Sequence, residues 1–93
     1  MIRFQFKPSF ERSLKHMSDQ DKERVRNAIE KLARLMMEGE KTIGLGITRL
    51  RGNFWEARAG LGTRVLYQHT GDLIEVILAG NHDDIKHFLK HNG

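Results

Sequence analysis

Two arginines, a glutamate and a histidine carry the chemistry this sequence can offer. In Phe54-Trp55-Glu56-Ala57-Arg58-Ala59, alternation sends Phe54, Glu56 and Arg58 to one side of a strand and Trp55, Ala57 and Ala59 to the other. In Thr63–Thr70 the same rule groups Arg64, Leu66 and Gln68. Pairing the two segments across Gly60-Leu61-Gly62 brings Glu56, Arg58 and Arg64 onto one surface, two guanidiniums around one carboxylate. Such a cluster is either a cross-strand ion pair, worth little where water reaches it, or an anion site with a proton acceptor built in. His82, in Gly80-Asn81-His82-Asp83-Asp84, follows directly on an apolar strand and is held beside that surface. Its imidazole suits proton transfer near neutral pH, and Asp83 or Asp84 either orients it or caps the helix that follows. A base, an acid and cations over a developing charge are what cleavage of a phosphodiester by an RNA 2′-hydroxyl needs, with no metal required.

The charge distribution points the same way. Residues 41–71 hold five basic residues, Lys41, Arg49, Arg51, Arg58 and Arg64, opposed by Glu56 alone, and this excess equals the chain's net charge of +4. Four of the five are arginines, whose forked donors match phosphate. Lys41, Arg49 and Arg51 are therefore candidates for holding RNA backbone beside the reacting groups; a solvated sheet face is the competing reading.

The elements that position these residues follow from periodicity. Ile2–Lys7 alternates as a short strand that Pro8 stops. Phe10, Leu14 and Met17 make a one-sided helical stripe, and Ser18 with Asp21 three residues later caps a second helix. Val25, Ala28, Ile29, Leu32, Leu35 and Met36 give that helix one apolar face up to Gly39, a C-terminal stop. From Gly44 the period becomes two, with turns at Gly52-Asn53, Gly60–Gly62 and Gly71-Asp72 dividing the chain into Ile47–Arg51, Phe54–Ala59, Thr63–Thr70 and Leu73–Ala79. The last of these is apolar almost throughout, as a central strand covered on both faces would be. Asp83–His91 predicts a short final helix buried through Ile85, Phe88 and Leu89. The predicted class is α+β, in the order β-α-α-β-β-β(-β)-α, a helical hairpin on one face of a twisted, mainly antiparallel sheet.

At 93 residues, 39% hydrophobic and 30% charged, the chain suits one domain spanning 1–93. The absence of cysteine removes disulfides, thiolate metal sites and cysteine nucleophiles together. No long apolar stretch suggests a membrane span or signal peptide, so a soluble, cytoplasmic protein is expected. His87 and His91 have metal-ligand spacing but no third ligand, and His82-Asp83 stands in a chain too rich in strand for an HD-type phosphohydrolase. Neither a metal nor another cofactor is called for.

The strand Ile2–Lys7, the charged hairpin, Arg49-Leu50-Arg51-Gly52, Phe54-Trp55-Glu56-Ala57-Arg58, Thr63-Arg64-Val65-Leu66-Tyr67-Gln68 and Val76–His82 resemble, in that order, the RelE/ParE toxins of bacterial toxin–antitoxin systems. The resemblance covers nearly the whole chain. It implies an αα-hairpin on an antiparallel sheet, a cognate antitoxin partner that forms a hetero-oligomer with the toxin, and, in the RelE-like branch, metal-independent cleavage of mRNA on the ribosome. The ParE-like branch instead poisons DNA gyrase and lacks the nuclease residues; an inactive antitoxin-binding homologue is a third outcome. By the resemblance, Arg64 contacts the scissile phosphate, Arg58 matches a basic residue of the preceding strand, and His82 acts as general acid or base. Glu56 replaces a lysine of RelE, either as a base or as a partner for Arg58, and Phe88 stands where some members have a catalytic tyrosine.

Overall fold

Pro8 ends one element and begins the next. The computed structural model describes residues 1–39 and 45–92. Strand β1 (Arg3–Phe6) stops before Lys7, whose extended backbone caps helix α1 (Pro8–Lys15), and Pro8 occupies its first turn, where the missing N–H costs nothing. Helix α2 (Asp19–Glu38) starts as expected: the Ser18 hydroxyl accepts from the Asp21 N–H at 3.1 Å. It ends at Gly39, whose left-handed φ of 68° lets its N–H reach the Leu35 carbonyl. Val25, Ala28 and Leu32 are buried, with Ile29, Leu35 and Met36 packed beside them.

Four further strands follow, β2 (Ile47–Arg51), β3 (Phe54–Arg58), β4 (Arg64–Thr70) and β5 (Leu73–Gly80), and then helix α3 (His82–Asn92). The sheet order is β1-β5-β4-β3-β2; β1 runs parallel to β5 and every other pair is antiparallel. Segment 47–51 is thus a full edge strand. The β4–β5 hairpin closes through Gly71, whose φ of 57° a side-chain-bearing residue rarely adopts.

Strand β5 is covered on both faces, and a bulge shapes how. Leu66 pairs with Leu78 but Tyr67 pairs with Val76, leaving Ile77 as the extra residue. Val76 and Ala79 join the core beneath α1 and α2, with Val65, Tyr67 and Ile74. Ile77 and Leu78 turn to the other face, where Leu66, Phe54 and Leu50 meet Ile85, Phe88 and Leu89 of α3. The face turned away from the hairpin is therefore shared with a third layer.

Partner strand β1 pairs with β5 only as far as Val76. Beyond it α1 takes over the hydrogen bonding of the β5 edge. The Ser9 hydroxyl donates to the Ile77 carbonyl at 2.5 Å, and the Ser13 hydroxyl accepts from the Ala79 N–H at 3.1 Å while donating to Phe10 at 2.6 Å. Both functions of the Ser13 hydroxyl are used. Among the described residues no helix is long and apolar enough to cross a membrane.

Candidate functional site

Arg64 opens β4 and Glu56 sits in the middle of β3. In the register Arg58 faces Arg64 and Glu56 faces Leu66, so Glu56 and Arg64 are diagonal neighbours on the α3 side of the sheet. Their side chains meet, Arg64 Nη1 donating to Glu56 Oε1 at 3.2 Å. Glu56 is only 7% exposed, the one buried charged residue described, which rules out the weak exposed pair. Arg64 Nε is buried as well and has no acceptor. The pair holds a guanidinium in place and leaves one of its donors unused.

Arg58 does not join this pair. Its backbone N–H bonds the Leu45 carbonyl, and its stem lies along Gly46, where an added Cβ would come within 3.2 Å of the Arg58 Cβ. The side chain is exposed and, among the described residues, unpaired. Instead of two guanidiniums around one carboxylate, the structure gives one engaged guanidinium and a free one beside it.

Arg64 is also the Cα partner of Gly80, two residues before His82. His82 is the exposed first residue of α3. Asp84 does not orient it: the Asn81 side chain accepts from the Asp84 N–H at 2.8 Å, and Asp84 Oδ2 accepts from the Asn81 N–H at 2.9 Å. This reciprocal cap fixes the start of the helix. It also explains Gly80, where a Cβ would lie 2.6 Å from Asp84 Oδ2. Asp83 makes no hydrogen bond to His82 among the described residues, so the imidazole is held by its place in the fold.

Of the three candidate RNA-holding residues, Arg49 and Arg51 do not share a surface. Lys41 lies outside the described residues. Strict alternation would put Arg49 and Arg51 on one side, but the register shifts between them, so that Arg49 pairs with Trp55 and Arg51 with Phe54. Arg49 consequently lies on the hairpin side, its guanidinium 5.9 Å from the Trp55 ring and its Nε donating to the Gly52 carbonyl at 2.9 Å. On the opposite side, Arg51 donates to the Leu89 carbonyl in the last turn of α3. That bond joins residues 38 apart in sequence, and no local signal announces it.

Tyr67 is fully buried under the hairpin, and its hydroxyl has no partner among the described residues. Burial pushes its pKa up to about 12, which keeps it protonated and out of proton transfer at neutral pH. His87 and His91 stack with ring centroids 4.4 Å apart, and no group of three metal-ligating side chains occurs among the described residues.

Set against known proteins, the sequence matches no family model and no curated protein. Solved structures match it over most of its length. A chain of the RelB–RelE antitoxin–toxin complex from Methanococcus jannaschii is 21% identical, with a TM-score of 0.69 over 90% of this chain and 96% of that one. The YoeB/ParE toxin from Agrobacterium tumefaciens is 18% identical with a TM-score of 0.65, covering 87% of this chain and 99% of that one. YafQ from E. coli strain BL21(DE3) is 13% identical with a TM-score of 0.65, over 91% and 98%. The chain has the RelE/ParE toxin fold. On this RelE/ParE scaffold, Phe88 is half-buried against the apolar patch beneath α3 and carries no exchangeable proton. The chain passes His82 into a helix tied down at both ends, by Asn81 and Asp84 at its start and by Arg51 near its finish.

Proposed function

We propose that this protein is the toxin of a type II toxin–antitoxin system, a ribosome-dependent mRNA endoribonuclease neutralised by a cognate acidic antitoxin. The observation that carries the reading is Arg64, half-buried and held by Glu56, with Arg58, unpaired among the described residues, and the exposed His82 nearby on a RelE/ParE fold. In the proposed reaction an RNA 2′-oxygen gives up its proton and attacks phosphorus, the new bond closes a 2′,3′-cyclic phosphate as the bond to the 5′-oxygen breaks, and that oxygen takes up a proton, His82 serving one of the two proton transfers and water the other. Arg64 and Arg58 stand over the negative charge that builds on the phosphorane, and preorganised donors of this kind are commonly worth 2.7–4 kcal/mol each, an order-of-magnitude figure of roughly a hundredfold or more in rate. His82 transfers a proton. Glu56, buried and engaged, acts as a positioning residue that sets the angle of the Arg64 fork.

Support for an antitoxin partner is the M. jannaschii match, a chain of an antitoxin–toxin complex. A net acidic, amphipathic segment suits this chain's excess of cations, covering Arg58 and Arg64 or pinning α3. Inducible expression with mapping of mRNA 5′ ends tests the enzyme reading. The wild type is expected to create new 5′ ends in translated messages, and His82→Ala to abolish them while remaining folded; undiminished cleavage by that variant overturns the assignment. Placement of α3 on the same sheet face as Glu56 and Arg64 favours a second reading, a non-nuclease inhibitor of DNA gyrase. Growth arrest with intact mRNA and DNA damage, persisting after loss of both His82 and Arg64, would establish it.

A further inference from the structure

Outside the Glu56–Arg64 pair, cations converge at one more place. A cavity of about 210 Å³ opens between α2 and the end of β3, with Arg24, Asn27, Lys31, Arg58 and the Gly60 backbone among its walls. Residues 24, 27 and 31 fall at i, i+3 and i+7, one stripe of α2 beside the buried Ala28. Among the described residues, Lys31 and Arg58 have no ion pair and no carboxylate lines the cavity. Arg24 is bound to Asp21 at 3.0 Å, and its stem lies so close over Gly60 that a Cβ there would come within 3.0 Å of Arg24 Cδ. Two elements thus bring Lys31 and Arg58, the Asp21-paired Arg24 and an amide to the walls of one small space. Like charges held together repel, and an anion placed between them turns that cost into binding energy.

The same two residues, Arg24 and Gly60, also form a wall of a larger cleft of about 610 Å³ that runs over the β3–β4 turn past Thr63 to Asn81, the neighbour of His82. Two carboxylates line that cleft, Asp21 and Asp84, and both are committed to internal partners, Arg24 and the Asn81 N–H. A strand of RNA lying in the cleft with a phosphodiester near His82 would carry a neighbouring phosphate toward the α2 pocket.

The geometry points to the Arg24–Asn27–Lys31 side of this pocket, next to Arg58, as a binding site for a non-scissile phosphate of the RNA backbone. This rests on the RNA-cleaving reading above and extends it to α2, which the sequence assigns only a structural part. Phosphate suits the pocket because the polar side chains lining it from α2 and β3 are cations and an amide, donors that match phosphate oxygens, and its apolar lining is limited to Ala28, Leu45 and Ala59. Binding there is independent of base sequence.

The test uses a short single-stranded RNA with 2′-O-methyl sugars, which cannot be cleaved, titrated into the whole protein over a series of salt concentrations. Lys31 is exposed and outside the proposed reaction, so Lys31→Gln keeps the fold. It is expected to weaken binding by about 3- to 10-fold equally for unrelated sequences, and to reduce the slope of log K against log salt by about 0.7, the value of one phosphate contact to a single strand. Unaltered affinity and slope in Lys31→Gln, with tight binding by the wild type, overturn the pocket and leave the nuclease reading standing. No RNA binding by the wild type also overturns the pocket, while the mapping of mRNA 5′ ends decides the nuclease reading separately. A glutamate-rich peptide that displaces the RNA as well as inorganic phosphate does, with its effect lost in Lys31→Gln, overturns the choice of phosphate over carboxylate.

Discussion

Removing Arg64 should cost stability as well as function, and the size of that cost follows from where its partner lies. Arg64→Ala leaves the Glu56 carboxylate, 7% exposed, without its cation. Breaking a fully buried pair from one side costs about 3–5 kcal/mol. Here the Arg64 side chain is 24% exposed, so water can enter and solvate part of what it leaves, which lowers the expectation to about 2–3 kcal/mol. Against a total of about 5–14 kcal/mol for a domain of this length, that is a large fraction, and it corresponds to a fall in Tm on the order of 10–20 °C. Replacing both partners with apolar residues, Glu56→Leu with Arg64→Met, removes the uncompensated charge and should recover most of the loss. Trp55, the single tryptophan, is half-buried in β3 and reports urea unfolding by fluorescence. The ordering expected is wild type close to the double variant and both well above Arg64→Ala, at constant m. A loss below about 0.5 kcal/mol in Arg64→Ala, or a double variant no more stable than the single, would show that the pair is solvated and that Glu56 does not depend on it. On the proposed nuclease reading the double variant also separates roles, since it should fold and yet fail to cleave.

Tyr67→Phe should stabilise the fold by about 1 kcal/mol, because it deletes a buried hydroxyl without a partner. Because the folded-state pKa of Tyr67 is raised to about 12 from 10.0, its protonated form is favoured on folding. Wild-type stability is therefore expected to fall by about 2 kcal/mol between pH 10 and 12, a fall attributable to this group that Tyr67→Phe should lack in denaturant titrations at each pH. Gly80→Ala should drive a methyl group against the Asp84 carboxylate and break the Asn81–Asp84 cap, costing about 1–2 kcal/mol; Gly80→Ala combined with Asp84→Ala should cost less than the two separate losses added, as thermal unfolding would show. Arg51→Ala should leave the last turn of α3 without its side-chain partner, seen as faster amide hydrogen exchange confined to the C-terminal part of that helix; unchanged protection there would mean the apolar contacts of Phe88 and Leu89 hold it alone.

The elements with local signals were readable from the sequence. Ser18 and Gly39 bracket α2 because caps act through neighbouring backbone groups, and the paired turn glycines space the strands. Alternation placed Glu56 and Arg64 on one face, but a face is not a contact. Which guanidinium reaches Glu56 depends on cross-strand register and on Leu45 and Gly46 holding the backbone and stem of Arg58, and both of those precede β2 in the chain. The split between Arg49 and Arg51 was hidden for a related reason: one register shift reverses alternation, and nothing in Arg49-Leu50-Arg51 signals it. The Ile77 bulge behaves alike inside a run that is apolar at almost every position. The cap between Asn81 and Asp84, by contrast, was legible as a polar residue followed three later by an acid, and it competes directly with the reading of Asp84 as a partner for His82.

The handover from β1 to α1 along β5 ties the first residues of the chain to almost the last. Ser9 and Ser13 reach residues 68 and 66 positions away, and β1 pairs in parallel with a strand that begins at Leu73. A nascent chain therefore emerges with its first strand and helix lacking their partner until β5 has been made. Up to that point α2 has no completed sheet to cover, and neither Arg64 nor His82 has a neighbour in β5 to hold it. Because contacts of such long span form late and pay their loop entropy first, the protein's site is assembled only once β5 has joined the sheet.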